Sequence, residues 1–90
     1  MLYAYILLSR KDNKFYIGFT SDLKRRLQEH KNGQVISTSK RLPITLVMYE
    51  AYQIEADARN REQFFKTTKG KIQLRKQLGS FLKSAQMAQW

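Results

Sequence analysis

Residues 2–8 and 15–19 constrain the fold of this chain more than any other part of the sequence. Residues 2–8 form a short apolar and aromatic run, which is typical of a strand that is buried on both faces. Asp12 and Asn13 are turn residues, and residues 15–19 have the composition of a second strand. The pattern therefore predicts an N-terminal β-hairpin, with its first strand inside a sheet.

A helix is predicted after the hairpin. Ser21 can cap this helix, Asp22 lies in its first turn and Gly33 can end it. Residues 31–43 are polar and basic and are predicted to form a loop over the surface. Pro43 disfavours a helical conformation at the residue before it, so we expect a strand to follow.

The remainder of the chain is predicted to form one strand and two helices. The third strand covers about residues 44–52, and a helix covers about residues 55–66 before a break at residues 67–70. A last amphipathic helix is indicated by four apolar residues at helical spacing: Leu74, Leu78, Phe81 and Leu82. The order β-β-α-β-α-α predicts an α+β fold, in which a small three-stranded antiparallel sheet is flanked by helices.

The length and composition of the chain fit one small domain. A chain of 90 residues has room for one hydrophobic core, so we expect a single domain over residues 1–90, with a core at about residues 2–82 and a tail at residues 83–90. Cysteine is absent, which excludes a disulfide framework and a thiolate zinc site. We recognise no leader and no membrane-spanning stretch, and we expect a cytoplasmic protein.

The charge of the chain points to a polyanionic partner. It has 17 Lys and Arg residues against 7 Asp and Glu residues, a formal net charge of +10. Such a charge on a small domain attracts nucleic acid and raises the rate of encounter with it. An anionic membrane is the alternative, but the sequence shows no long helix with one basic and one bulky apolar face. Nucleic acid is therefore the expected partner, although charge alone does not indicate catalysis.

The first predicted helix carries two polar residues beside its apolar stripe. Leu23 and Leu27 are predicted to face the sheet, and Arg26 and His30 lie next to them with the same four-residue spacing. Arg25 points away toward water. Arg26 is therefore the arginine that we select for a site, and the alternative interpretations are a surface arginine and a structural histidine.

Glu62 lies on or beside the apolar side of the second predicted helix, which carries Ala58 and Phe65. A carboxylate in that position loses hydration, which is costly unless a cation offsets it. A salt bridge to Arg59 or Lys66 would provide the cation, and so would a divalent metal ion. Carboxylate oxygen suits Mg²⁺ or Mn²⁺, with water and phosphate completing the coordination. The spacing favours neither interpretation over the other.

Two tyrosines, Tyr5 and Tyr16, lie on the two strands of the predicted hairpin. Most tyrosines pack in a core or at its rim, with the hydroxyl at the water boundary. A tyrosine acts as a base only when nearby positive charge lowers its pKa, which is about 10 in the free side chain. Arg26 and a cation on Glu62 would provide such charge.

Two tripeptides and three spaced polar residues follow one another in a specific order: Tyr3-Ala4-Tyr5, Tyr16-Ile17-Gly18, Arg26, His30 and Glu62. This order resembles the GIY-YIG nuclease family, especially its short stand-alone bacterial members, and is similar to the N-terminal nuclease domain of the DNA-repair excinuclease. The resemblance extends from residue 2 to about residue 81. It implies a nuclease with the family's three-stranded sheet flanked by helices.

The resemblance also implies a role for each polar residue. Tyr5 would form hydrogen bonds within the site, and Tyr16 would be the general base that activates water. Arg26 would hold the scissile phosphate and stabilise its added negative charge. His30 would assist proton transfer or bind phosphate. Glu62 would be the only protein ligand of the metal ion.

The reaction that the resemblance implies is hydrolysis of phosphodiester bonds in DNA. One Mg²⁺ or Mn²⁺ ion would activate water and neutralise the leaving oxygen. Gly18 would allow the backbone to pass close to the site. The sequence departs from the family in its first tripeptide, which keeps only Tyr5, and at Phe19, where the excinuclease has a lysine.

Further basic residues are available to follow a DNA backbone: Lys24, Arg25, Lys40, Arg41, Lys66, Lys69 and Lys71. We recognise no base-reading module, so we expect weak, salt-sensitive binding to branched, distorted or single-stranded DNA, with RNA not excluded. The prediction is an endonuclease of DNA repair, recombination or processing. The alternatives are a basic nucleic-acid-binding module with an idle site, and a protein that depends on a partner bound through its last helix and Trp90.

Overall fold

The computed structural model describes residues 1–84 and contains strands and helices in one layered arrangement. The strands are β1 (Leu2–Ser9), β2 (Phe15–Thr20) and β3 (Ile44–Tyr52). The helices are α1 (Leu23–Lys31), α2 (Ile36–Ser39), α3 (Glu55–Lys66), α4 (Thr68–Gln77) and α5 (Gly79–Ser84). The strands form an antiparallel sheet in the order β2-β1-β3, so the predicted α+β fold with a three-stranded sheet flanked by helices is confirmed.

β1 is the central strand of the sheet, as its apolar composition predicted. Residues 4–8 are at most 1% exposed, because the sheet is covered on both faces. The hairpin with β2 pairs Tyr5 with Gly18 and Leu7 with Tyr16. Residues that pair across strands, and residues two apart along a strand, point to the same side. These four residues therefore share one face of the sheet.

α1 covers that face. Tyr5, Leu7 and Ile44 of the sheet form a buried cluster there. Leu23 and Leu27 of α1 pack against the cluster, as the predicted apolar stripe requires. This packing fixes the rotation of α1 and so decides where its polar residues point.

α3 and α4 cover the opposite face. Ile6 and Ile17 of the sheet, Phe65 of α3 and Leu74 of α4 form the second buried cluster. The two helices approach closely at Gly70, where a Cβ atom would lie 2.7 Å from the Phe65 Cα. Only glycine allows the backbones to come so near each other.

The region around α1 and α2 differs from the predicted elements at two points. The cap of α1 is Asp22 and not Ser21, because the Asp22 carboxylate accepts a hydrogen bond from the Arg25 N–H at 3.1 Å. The predicted surface loop over residues 31–43 contains the short helix α2, which buries Thr38 completely. A helix of four residues shows no readable periodicity in sequence, so pattern analysis missed it.

The C-terminal helices also differ from the prediction. The predicted break at residues 67–70 is limited to Thr67, whose hydroxyl accepts the Gly70 N–H at 3.0 Å and caps α4. The predicted last helix is interrupted at Leu78, so two helices replace one. Gly79 follows the interruption, and glycine is a weak helix former.

The predicted partner surface at the C-terminus is described only in part. α5 belongs to the described residues, whereas Trp90 lies outside them. None of the helices in residues 1–84 combines the length and the apolar character that crossing a bilayer requires.

Candidate active site

Two tyrosines lie near each other on the face of the sheet that α1 covers. The ring centroids of Tyr5 and Tyr16 are 6.4 Å apart, with an interplanar angle of 44°. Tyr5 is 1% exposed, whereas Tyr16 is only partly buried. Of the two tyrosines, only Tyr16 therefore has surface that a bound molecule can reach.

His30 meets the two tyrosines from the last turn of α1. Its ring centroid lies 5.7 Å from that of Tyr5 and 5.2 Å from that of Tyr16. The side chain is fully buried, and both ring nitrogens have partners. Nε2 lies 2.8 Å from the Tyr5 hydroxyl oxygen, and Nδ1 lies 2.7 Å from Oγ1 of Thr38. His30 is thus an internal part of the cluster and does not face solvent.

Arg26 lies one helical turn before His30 and is partly exposed. Its side chain is 37% exposed, and Nη1 donates a hydrogen bond to Oε1 of Glu29 at 3.0 Å. The hydrogen bond with Glu29, and then the contact with the Tyr5 hydroxyl, raise the pKa of the guanidinium. Arg26 is therefore a fixed cation at the edge of the cluster, whereas the side chain of Arg25 is 69% exposed.

Glu62 lies on α3 and is linked to the cluster through its charge. Its side chain is 12% exposed, and its negative charge contributes to raising the pKa of Tyr5. Oε2 accepts a hydrogen bond from Nζ of Lys66 at 3.0 Å. The salt bridge that the sequence offered as one interpretation of Glu62 is therefore present. Because the side chain of Lys66 is 47% exposed, this pair lies at the surface, where ion pairs stabilise weakly.

The two innermost groups of the cluster are uncharged at neutral pH. Burial raises the pKa of Tyr5 to about 12, although the hydrogen bond from Arg26 opposes the shift. Burial, and then the positive charge of Arg26, lower the pKa of His30. Tyr5 is accordingly a phenol and His30 a neutral imidazole. The lowered tyrosine pKa that a base requires is not found at Tyr5.

The structure brings the rings of Tyr5, Tyr16 and His30 together and places Arg26 one helical turn before His30. Glu62, on α3, is linked to this cluster by its electrostatic effect on Tyr5. The five predicted site residues differ in burial. Tyr5 and His30 form a buried layer, whereas Tyr16, Arg26 and Glu62 are partly exposed and form what we call the exposed layer.

The additional basic residues do not share one arrangement. Most of them are exposed on α1, after α2 and on α3 and α4: Lys24, Arg25, Lys40, Lys66, Lys69 and Lys71. Arg41 instead holds the turn between β1 and β2, because it pairs with Asp12 at 2.8 Å and donates to the Lys14 carbonyl at 3.1 Å. Its guanidinium therefore stabilises the hairpin turn through these contacts.

Sequence reasoning missed two residues of this region, Glu29 and Thr38. A signal for Glu29 existed, because its spacing of three from Arg26 places the two on one side of a helix. Thr38 carried no signal, because its role depends on α2 folding against the end of α1.

Gly18 makes space for the Tyr5 ring. A Cβ atom at this position would overlap the phenol and would lie 2.7 Å from its Cε1 atom. We expect Gly18→Ala to force the ring away from His30 and to lower the free energy of unfolding by about 1–3 kcal/mol, measured by urea denaturation. Gly79→Ala is the matched control, because a Cβ there meets nothing within 4 Å. Equal unfolding free energies for the two variants would contradict this account of Gly18.

The stability of the protein is expected to depend on pH through His30, the only histidine in the chain. Because its folded-state pKa is lowered, the unfolded chain binds a proton more readily than the folded chain does. The free energy of unfolding should therefore fall as the pH falls below about 6.5, by at most about 1.4 kcal/mol per pH unit. Urea denaturation at several pH values measures this slope. His30→Gln should remove this pH dependence of the free energy of unfolding. An equally steep slope in the variant would mean that other groups cause it.

Comparisons with known proteins agree with this arrangement. The GIY-YIG catalytic domain matches residues 1–77. The UPF0213 protein of Clostridium perfringens is 38% identical over 77 residues, which covers 82% of each chain. The UPF0213 protein spr1390 of Streptococcus pneumoniae is 37% identical over 68 residues, covering 74% of this chain and 68% of that protein.

A solved structure shares the fold. The solution NMR structure of the UPF0213 protein BH0048 from Bacillus halodurans superposes with a TM-score of 0.51 at 35% sequence identity, covering 82% of each chain. The family match extends over β1 to α4 and includes the two tyrosines, Arg26, His30 and Glu62. The chain therefore belongs to the GIY-YIG family of nucleases and groups with bacterial UPF0213 proteins.

Proposed function

We propose that this protein is a metal-dependent DNA endonuclease that hydrolyses phosphodiester bonds. The observation that carries the proposal is the exposed layer of the site. Tyr16, Arg26 and Glu62 come from three different elements, and the support for a shared site is that a ring contact or an electrostatic interaction links each of them to Tyr5 or His30. A base, a cation for phosphate and a metal ligand are the groups that hydrolysis of a phosphodiester needs.

Arg26 is proposed to bind the scissile phosphate. Its guanidinium is planar and permanently charged, so it can donate two parallel hydrogen bonds to phosphate oxygens. Glu29 accepts a hydrogen bond from it, Tyr5 interacts with it electrostatically, and its side chain remains 37% exposed. A guanidinium that is already oriented stabilises the charge that develops on phosphate without first having to reorganise.

Glu62 is proposed to hold a divalent metal ion. Within residues 1–84 no three histidine or acidic side chains gather as a metal-binding group, so Glu62 would be a single carboxylate ligand. A single carboxylate fits Mg²⁺ or Mn²⁺, since such ions often bind through one carboxylate together with water and substrate phosphate. When bound, the ion would supply a Lewis acid that activates water and neutralises the leaving oxygen. Lys66 would give up a surface ion pair, which costs little.

Tyr16 is proposed to be the base that takes a proton from the attacking water. It is the less buried tyrosine of the cluster, because Tyr5 is only 1% exposed. Tyr5 and His30 would act through other groups and not by touching the substrate. His30 would not bind phosphate directly, because both of its ring nitrogens already contact Tyr5 and Thr38.

The substrate is proposed to be DNA in a branched, distorted or single-stranded form, in cytoplasmic repair, recombination or processing. Exposed cations near the site would contact phosphates, which position a strand without reading its sequence. Lys24 and Arg25 on α1 lie close to Arg26 along the chain, and Lys69 and Lys71 extend from α4. Binding through such contacts would weaken as the salt concentration rises.

Incubation of the purified protein with supercoiled plasmid, branched DNA and RNA tests the proposal. With Mn²⁺ we expect nicking of DNA, and with chelator we expect none. Binding without cleavage of any substrate would instead favour a nucleic-acid-binding module with an idle site.

A further inference from the structure

The side chain of Thr38 contacts the buried layer of the site but has no part in the proposed chemistry. It lies on α2, is fully buried and places Oγ1 2.7 Å from Nδ1 of His30. α2 brings no large apolar side chain into the core, and its Ile36 is 93% exposed. The contact with His30 is therefore the main internal contact that α2 provides through a polar side chain.

The hydrogen-bond donors and acceptors around Tyr5 and His30 determine which atom donates in each hydrogen bond. The Thr38 hydroxyl donates to the carbonyl oxygen of Val35, 3.5 Å away, so toward His30 the threonine oxygen is an acceptor and Nδ1 is the donor. A neutral imidazole with its hydrogen on Nδ1 has an unprotonated Nε2. This nitrogen lies 2.8 Å from the Tyr5 hydroxyl and can accept its hydrogen. The Tyr5 oxygen is then free to accept from the guanidinium of Arg26, which can only donate and which influences the pKa of Tyr5.

The donor and acceptor roles are consistent from Tyr5 through His30 to Thr38. Every buried side-chain nitrogen and oxygen atom of residues 1–84 has a partner in this arrangement. The chain of contacts runs from Arg26 through Tyr5 and His30 to Thr38.

We propose that Thr38 is a positioning residue that keeps His30 in the tautomer with its hydrogen on Nδ1. This tautomer presents Nε2 to the Tyr5 hydroxyl, so that the Tyr5 oxygen in turn accepts from Arg26. Thr38 thereby sets the orientation of the guanidinium from a distance of three contacts. The inference depends on the proposed function for its catalytic consequence, but the tautomer itself does not.

The hydroxyl of Thr38 is the feature that matters, and not its bulk. The tautomer of a histidine is set by the hydrogen bond that its other nitrogen makes. Valine has nearly the shape of threonine but cannot accept a hydrogen from Nδ1. With valine at this position, the hydrogen on Nδ1 would have no acceptor, so the contact that favours this tautomer over the other is removed. In the other tautomer Nε2 would donate to the Tyr5 oxygen, and the Tyr5 hydroxyl would lose its acceptor.

Nitrogen NMR of the imidazole tests the inference directly. His30 is the only histidine in the chain, so uniformly ¹⁵N-labelled protein without a polyhistidine tag gives one imidazole signal set. The nitrogen chemical shifts distinguish a protonated from an unprotonated ring nitrogen. We expect hydrogen on Nδ1 in the wild type and in Thr38→Ser, and a larger population with hydrogen on Nε2 in Thr38→Val. Hydrogen on Nε2 in the wild type, or an unchanged tautomer in the valine variant, would overturn the inference.

Cleavage kinetics give the second readout. We expect Thr38→Val to lower kcat by about 10-fold or more with KM little changed, and Thr38→Ser to restore most of the rate. If the valine variant fails to fold, the wild-type and serine spectra still decide the tautomer. If the wild type cleaves no DNA, the proposed function fails, whereas the spectra decide the role of Thr38 independently. Equal loss of kcat in the serine and valine variants would refute a role for the hydroxyl.

Discussion

Replacement of Glu62 by glutamine is expected to abolish metal-dependent cleavage, with a fall in kcat of about 1,000-fold. The amide has nearly the shape of the carboxylate but no charge with which to hold a divalent ion. The fold should persist, because the ion pair that is lost with Lys66 is at the surface and contributes at most about 1 kcal/mol. DNA binding should persist as well, because it depends on cations elsewhere. Plasmid nicking in Mn²⁺, together with a binding titration, measures both properties.

Glu55→Gln is the matched control for this experiment. Glu55 lies on the same helix, also forms a surface ion pair, with Arg59 at 2.8 Å, and its side chain is 59% exposed. It lies two turns before Glu62 and has no place in the proposed site. We expect it to cleave like the wild type. If Glu62→Gln cleaves as well as Glu55→Gln, the metal-ligand assignment is wrong.

Replacement of Arg26 by alanine is expected to lower kcat by about 100-fold to 1,000-fold, the range found when a preorganised donor to a developing charge is removed. The loss should be largest in kcat, because the guanidinium would interact most strongly with the extra charge of the transition state. Arg26→Lys should recover only part of the rate, because an ammonium group cannot form two parallel hydrogen bonds to phosphate. Single-turnover cleavage at saturating protein isolates this step from binding.

Arg25→Ala provides the comparison for Arg26. The two residues are adjacent on α1 and have the same charge, but Arg25 is 69% exposed and pairs loosely with Asp22 at 3.9 Å. Its loss should weaken DNA binding modestly and leave the cleavage rate of bound DNA unchanged. An equal fall in rate for both variants would mean that general electrostatic attraction, and not a placed guanidinium, explains the role of Arg26.

The fold was largely predictable, because its signals are local. The apolar run of β1 and the turn after it predict a central strand in a hairpin, and the structure has both. Leu23 and Leu27 predict the packed side of α1, which in turn places Arg26 at its edge. The errors occur where the signal is short or depends on tertiary contacts. α2 has four residues, and the end of α4 depends on packing around Leu78.

The predicted site stays a prediction, and the structure adds a distinction in burial that sequence could not provide. A family resemblance assigns Tyr5, Tyr16 and His30 to one site without indicating which of them reach solvent. Burial makes Tyr5 and His30 internal, and it raises the pKa of Tyr5 to about 12. Sequence spacing also left Glu62 equally suited to a salt bridge and to a metal ion. The structure shows the salt bridge, because Nζ of Lys66 lies 3.0 Å from Oε2 of Glu62. The metal ion remains a prediction.

The central claim is that Tyr16, Arg26 and Glu62 serve one metal-assisted reaction. A crystal structure of the protein with Mn²⁺ and a short DNA tests it most directly, because the anomalous signal of manganese locates the ion. We predict that the ion would be held by a carboxylate oxygen of Glu62, that Arg26 would contact the phosphate of the bound DNA, and that the Tyr16 hydroxyl would lie at the same site. Manganese bound elsewhere, with Glu62 still paired to Lys66 and the phosphate away from Arg26, would contradict the claim.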